Sequence, residues 1–192
     1  MKTVFVDVDT QIDFLFPAGA LYVPGAERLL PAIAHLNHFA AAHGIPLIST
    51  ADSHSENDPE FQSWPPHCVA GTAGQVKPAA TLLENRSTLG SRPGSAIELA
   101  GQIVVEKQAL DVFTNPNFGA LLDRLAGDRY VVYGVATDYC VRCAVLGLLG
   151  AGKRVAVVTD AIAAVKPETG ARTLHEFAAQ GGSLTTVGDV TK

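Results

Sequence analysis

Tyr130-Val-Val-Tyr-Gly134-Val-Ala-Thr-Asp138-Tyr-Cys140 is the stretch that decides the fold. An apolar strand breaks on small residues at Gly134 and resumes as a helix, roughly Asp138 to Leu149. Cys140 then falls in the first helical turn. Unpaired backbone N–H groups and the positive end of the helix dipole favour a thiolate there. Thr137 or Asp138 is placed to cap the helix from a side-chain oxygen. Cys140 reads as a nucleophile, against the plainer reading of a small buried helical residue.

The same strand-to-helix alternation runs outward in both directions. Strands are expected at Thr3–Val8, Ile45–Thr50, Gln102–Glu106, Tyr130–Val135, Arg154–Thr159 and, more weakly, Ser183–Val187. Helices are expected at Gly25–His43, Phe118–Gly127, Asp138–Gly150 and Glu168–Gln180. The first carries Leu29, Ile33, Leu36 and Ala40 on one stripe, with Arg28, His35 and His38 facing away. Gly44, Gly127, Gly150 and Gly181 follow helix ends as C-terminal caps. This pattern predicts an α/β, three-layer, doubly wound fold with a central, mostly parallel sheet of about six strands. Its ligand site belongs at the carboxyl ends of the strands. Residues 1–192 read as one domain. Residues 51–101, without a strong strand signal and rich in proline, glycine and histidine, read as a functional insertion.

Composition narrows the classes of function. Of 192 residues, 47% are hydrophobic, which suits a packed domain and excludes a disordered chain. A net charge of −5 with no basic block argues against nucleic acid as a partner. The three cysteines, Cys68, Cys140 and Cys143, are too few for a disulfide framework. No apolar run reaches membrane-spanning length, and the N-terminus enters a strand directly, without a signal-peptide pattern. The chain is therefore expected in the cytoplasm, off the membrane; a homo-oligomer is compatible with everything above.

Three strand ends carry groups that can converge. Asp9 sits where the first strand gives out; Asp7 lies one pleat deeper, and Asp13 beyond reads as a turn or capping carboxylate. Lys107 ends the strand Ile103-Val-Val-Glu-Lys107, and Cys140 follows Tyr130–Val135. A second set lies in the insertion: Asp52-Ser-His54, Glu60, and Trp64-Pro-Pro-His67-Cys68. One carboxylate with two imidazoles, extended by Glu60, suits a divalent Zn, Fe or Mn ion. Spacing alone equally allows a loop held by ordinary histidine hydrogen bonds.

These pieces, in this order, resemble the isochorismatase-like cysteine hydrolases, and within them the nicotinamidase/pyrazinamidase group. Asp9-x-Gln11-x-Asp13-Phe14 is similar to the family's first-strand motif. Asp52-x-His54 with Trp64-Pro-Pro-His67-Cys68-Val-x-Gly71-Thr72 resembles its metal loop, and Gly134-Val-Ala-Thr-Asp-x-Cys140-Val its nucleophile turn. The resemblance implies a catalytic triad of Asp9, Lys107 and Cys140. It also implies a cis peptide at Val135-Ala136, and an oxyanion hole from the N–H groups of Ala136 and Cys140. Asp52, His54 and His67 would be metal ligands, with Glu60 where many members have a further histidine. Phe14, Trp64 and Val135 would contact a flat aromatic amide. One divalent metal ion and no organic cofactor are implied. The stretch Gln108–Phe118 departs from the nicotinamidase pattern, and bears on which amide is accepted.

The implied chemistry is release of ammonia from nicotinamide, or a similar aromatic amide, through a Cys140 thioester, with Asp9 as base. Burial is expected to raise the pKa of Asp9, while Lys107 and the helix N-terminus lower that of Cys140. Other carbamoyl, ureido or isochorismatase-type hydrolases of the superfamily are the alternatives. Cys140-Val-Arg-Cys143 also has the layout of a C-x-x-C redox pair, though it follows a late strand and lacks proline between the cysteines.

Overall fold

The computed structural model describes residues 1–192. Seven strands, Thr3–Val8 (β1), Leu47–Asp52 (β2), Arg86–Leu89 (β3), Gln102–Lys107 (β4), Arg129–Val135 (β5), Arg154–Ala163 (β6) and Ser183–Thr185 (β7), form one sheet in the order β3-β4-β2-β1-β5-β6-β7. Every pairing is parallel. Six helices accompany it: Ile12–Leu15 (α1), Leu30–Ala42 (α2), Phe118–Leu125 (α3), Cys140–Gly150 (α4), Pro167–Ala179 (α5) and Val187–Val190 (α6).

Two hydrophobic layers show why the strands read as apolar runs: a parallel sheet is buried on both faces. On one face Phe118, Leu121, Val141, Val145 and Phe177 of α3, α4 and α5 pack against Val4, Val6, Ile103 and Val132. On the other, Phe14, Ile33, Leu36 and Ala40 of α1 and α2 pack against Phe5, Leu47, Val131 and Tyr133. No helix is long and apolar enough to cross a membrane.

The expected α/β architecture is present, with one strand more than the sequence pattern shows. β3 lies inside the stretch expected to lack strands. Its sequence, Arg-Ser-Thr-Leu, buries only Leu89 fully, because it is an edge strand bonded to β4 alone. Edge strands of this kind carry no apolar alternation to detect. β2 extends to Asp52 and β6 to Ala163, each further than the sequence pattern suggests.

The topological switch lies between β1 and β5, which pair from Thr3–Arg129 to Val8–Gly134. Gly134 has φ 115°, and a Cβ there would fall on the backbone of Val8. Only glycine lets the two strands meet this closely where the chain turns into the site.

Candidate active site

Four parallel strands deliver the expected residues to one place. Asp9 follows β1, Asp52 ends β2, Lys107 ends β4, and Cys140 begins α4 after β5. Asp52 and Lys107 are register partners, so their side chains leave the sheet side by side.

Lys107 is the hub. Its Nζ lies 2.8 Å from Asp9 Oδ2, in close contact with Asp52 Oδ1, and 3.8 Å from Cys140 Sγ. The lysine is 1% exposed. A buried ammonium is tolerated only because two carboxylates face it. Asp9 has φ 48°, left-handed backbone that aspartate tolerates better than most residues. Thr50 holds it there: its hydroxyl accepts from Asp9 N–H (3.1 Å) and donates to Asp9 Oδ1 (2.5 Å). Asp9 Oδ2 faces the Lys107 ammonium at 2.8 Å, the range of a charge-assisted contact.

The two carboxylates beside Lys107 are driven in opposite directions. Burial, reinforced by the charge of Asp52, raises the pKa of Asp9 against the pull of Lys107. Burial also pushes Asp52 up, but Lys107, His54 and His67 outweigh it and hold that carboxyl well below its usual range. Cys140 departs from expectation. Burial raises its thiol well above the ordinary value, Lys107 only partly opposing, and Asp9 and Asp52 push it further up. The direction is upward, opposite to the lowering expected from Lys107 and the helix N-terminus.

The turn before α4 also differs from expectation. Neither Thr137 nor Asp138 caps the helix, whose N-cap is Tyr139 without a side-chain bond. Asp138 instead accepts from Val165 N–H, Lys166 N–H and the Thr169 hydroxyl, tying this turn to the start of α5. The Val135-Ala136 peptide is cis, as implied by the resemblance. Thr137 N–H donates to Ala163 O (2.8 Å), while Tyr139 and Val141 N–H both donate to Ala136 O. The N–H groups of Ala136 and Cys140 make none of these bonds.

Asp52, His54 and His67 come together with their ligand atoms all within 4.8 Å of one another, and all three are buried. Nε2 of each histidine lies 3.7 Å from Asp52 Oδ2. The opposite ring nitrogens are held from behind: His67 Nδ1 donates to Pro65 O (2.8 Å), and His54 Nδ1 lies 3.1 Å from Asp58 Oδ2. Neither nitrogen of His54 has an aligned hydrogen-bond partner although the residue is fully buried. A buried imidazole left unsatisfied beside a carboxylate and a second imidazole, with carbonyl and carboxylate supports behind, is the arrangement of a divalent metal site. Glu60 is not in this group; it stands on the wall of the same pocket. Burial and the nearby Asp52 raise its pKa.

That pocket is mostly apolar. Phe14, Trp64 and Val135, the expected substrate contacts, line it with Cys140 and Ala136, and so do Tyr139, Val23 and Leu110. The Trp64 ring meets Tyr139 edge-on at 5.3 Å, and Phe14 lies 5.5 Å from His67. Leu110 is supplied by the divergent segment between β4 and α3.

Several supporting residues escape a reading of the sequence. The Gln11 amide donates to Asp52 O and Gln75 O (both 2.8 Å) and accepts from Asp52 N–H (2.7 Å). Asp13 is the capping carboxylate expected of it, accepting from Ala20 and Cys68 N–H, the latter where Cys68 has φ 45°. Gln11 and Asp13 thereby fasten the histidine loop to the end of β1. Asp7, deeper in β1, pairs with Lys77 Nζ at 3.3 Å. Gln11 and Asp13 were visible as motif positions, but their partners, up to 64 residues away, were not.

Comparison with known proteins finds relatives that match over almost the whole chain. Residues 3–189 match the isochorismatase domain family. A nicotinamidase from Escherichia coli is 28% identical, over 95% of this chain and 93% of its own length. A nicotinamidase/pyrazinamidase from Mycobacterium tuberculosis is 31% identical, over 88% and 91%. The crystal structure of a pyrazinamidase from Pyrococcus horikoshii in complex with zinc superposes with a TM-score of 0.83 at 28% identity, covering 97% of this chain and 99% of that one.

Proposed function

The chain belongs to the isochorismatase family, and on that premise we propose a metal-assisted cysteine amidohydrolase that converts nicotinamide, or a closely similar aromatic amide, to the acid and ammonia. The observation that carries this reading is the convergence of Asp9, Lys107 and Cys140 at the ends of three strands, beside the cluster of Asp52, His54 and His67. Two neighbouring carboxyl groups pushed apart in pKa take different jobs. Asp52 stays ionised as a partner of Lys107 and a metal ligand. Asp9, desolvated and with its pKa raised, is the group suited to take and return a proton.

Cys140 starts as a thiol, so its deprotonation accompanies attack on the amide carbonyl. The Sγ–H proton passes to Asp9 as the carbon–sulfur bond forms. The oxyanion points to the N–H groups of Ala136 and Cys140, each such donor worth about 3 kcal/mol. Asp9 then protonates the leaving nitrogen, ammonia departs, and a thioester remains on Cys140. Water, activated by Asp9, cleaves the thioester and restores the thiol. Lys107 holds Asp9 in position through the cycle and compensates its charge whenever the proton is elsewhere.

Asp52, His54 and His67 would hold the metal ion, a Zn, Fe or Mn dication, which supplies a Lewis acid able to bind an acceptor atom of the substrate. Phe14 and Trp64 would flank the aromatic ring, with Val135 on its floor.

Ammonia release from nicotinamide and pyrazinamide tests the reading, with wild type and Cys140→Ala assayed before and after chelation and metal add-back. Activity that needs both Cys140 and metal is expected. Wild-type turnover by Cys140→Ala would overturn the mechanism. Silence from metal-loaded wild type would move the search to ureido compounds, with the segment carrying Leu110 as the place to look.

A further inference from the structure

Cys140-Val-Arg-Cys143 pairs the nucleophile with a second cysteine that has no part in the amide cycle. Both lie in the first turn of α4, where Cys143 N–H donates to Tyr139 O (2.9 Å). A regular turn sets Cα atoms three residues apart at about 5 Å, inside the span that a disulfide bridges. Cys140 is the first residue of the helix, so its χ1 has no preceding turn to clash with and is open to the rotamer that meets Cys143. The two sulfurs also share one field: the charges of Lys107 and Asp9, which act on Cys140, act on Cys143 as well. Cys143 is half-buried and belongs to neither hydrophobic layer, so core packing does not account for it. Cys68 is different, fully buried in the layer on the other face of the sheet. Cys140 lines the pocket, so a small molecule that enters there reaches its sulfur.

We propose that this pair is a modification site, at which hydrogen peroxide oxidises Cys140 and Cys143 resolves the product to a Cys140–Cys143 disulfide. Cys140 Sγ attacks one peroxide oxygen and the O–O bond breaks. A sulfenic acid remains on Cys140, and the thiol proton departs with the released oxygen as water. Cys143 Sγ then attacks the Cys140 sulfur, the S–O bond breaks, and the Cys143 proton leaves in a second water. Two thiols lose two electrons and one peroxide is reduced to two waters. Burial slows the first step, because a thiol raised above its ordinary pKa yields little thiolate. The second step is intramolecular within one helical turn, which favours it over further oxidation by free peroxide. The bridge takes the nucleophile out of the reaction and keeps it from the sulfinic state, which reductants do not reverse. Its ring spans only Cys140–Cys143, so it constrains the unfolded chain little and should barely change stability. Only the loss of turnover rests on the amidase reading; the bridge does not.

The test uses the full chain freed of reductant and loaded with zinc, which has no redox chemistry of its own. Hydrogen peroxide is added, and wild type, Cys143→Ser and Cys143→Ala are followed by tryptic peptide mass and by nicotinamide hydrolysis. Trypsin cuts after Arg142, between the two cysteines, so the bridge appears as two linked peptides that separate on reduction. Wild type should give that linked pair and lose turnover, and dithiothreitol should return the rate to within about twofold of untreated protein. Both Cys143 variants should start near the wild-type rate and give no linked pair. Peroxide should carry their Cys140 on to the sulfinic acid, so that dithiothreitol recovers less than about a tenth of the rate. A Cys140 that peroxide leaves unmodified, a bridge to Cys68 in place of Cys143, or full recovery of the Cys143 variants would each overturn the proposal. A linked pair in a wild-type protein that hydrolyses no nicotinamide would remove the amidase reading and leave the bridge standing.

Discussion

Two lysine–aspartate pairs are buried two residues apart along the end of β1, and they are built for opposite purposes. Asp7 is saturated. Its Oδ1 accepts from Thr10 Oγ1 (2.6 Å), and its Oδ2 from Ser49 Oγ (3.0 Å) and Asn37 Nδ2 (3.2 Å), with Lys77 Nζ at 3.3 Å. Lys77 also donates to Thr10 Oγ1, and Tyr133 OH closes the network on Asn37 Oδ1. Asp9 has a single side-chain partner on each oxygen, Thr50 on Oδ1 and Lys107 on Oδ2 at 2.8 Å. A buried carboxylate with several partners gives rigidity; one with a single partner on each oxygen keeps acceptor capacity for a proton. The same residue types, one on β1 and one just past its end, divide between holding the fold and doing the chemistry.

Asparagine at each position puts that division to its strongest test. Asp9→Asn removes the proton carrier but leaves Lys107 paired with Asp52, so turnover should fall by about 10^2- to 10^4-fold with little change in melting temperature. Steady-state kinetics beside a thermal melt checks both halves. Asp7→Asn turns an amide donor toward Lys77 and removes the only carboxylate paired with it. Breaking a buried pair in this way should cost about 3–5 kcal/mol, a drop in Tm on the order of 10 °C, while kcat at a permissive temperature stays within a few-fold. If Asp7→Asn loses turnover without losing stability, the two pairs are one functional unit and the contrast fails.

Metal removal sharpens the comparison from the other side. Asp52, His54 and His67 are buried and preassembled, so chelation should destabilise the protein by about 3–4 kcal/mol relative to metal at a hundred to a thousand times its Kd. A melt with and without chelator reads this directly, and an unchanged Tm would argue that the histidines serve only the loop. The smallest effect belongs to the surface. Arg142 and Glu176 form a two-pronged pair at 2.6 Å, but both side chains are about a third exposed or more. Arg142→Ala should cost less than about 1 kcal/mol, and that loss should shrink in high salt.

Much of this was legible in the chain. Parallel strands buried on both faces leave apolar runs, and chemistry placed at strand ends leaves polar residues where those runs stop, so Asp9, Lys107 and Cys140 could be named before any geometry was known. β3 was not legible, because a polar edge strand has no periodicity. The direction of the Cys140 shift was not legible for a different reason: the helix N-terminus is a local feature, whereas the burial that opposes it is assembled by the whole sheet. Thr50 and Lys77 act on partners brought close only by the fold, and no spacing rule reports them. Asp52 carried a second partnership of the same kind, since its register match to Lys107 joins the metal loop to the triad.

Gln11 has a consequence of another sort. Its side-chain amide donates to and accepts from the main chain of Asp52 as a neighbouring strand would, so it works as an added rung of the sheet past the end of β1. The rung depends on having a donor on one arm and an acceptor on the other. Glutamate has the same shape but offers only acceptors, which would then confront two carbonyl oxygens, those of Asp52 and Gln75. A single nucleotide change converts a glutamine codon to a glutamate codon. The joint between the base and the metal loop is therefore one mutational step from reversal, at a position outside both the pocket lining and the candidate metal ligands.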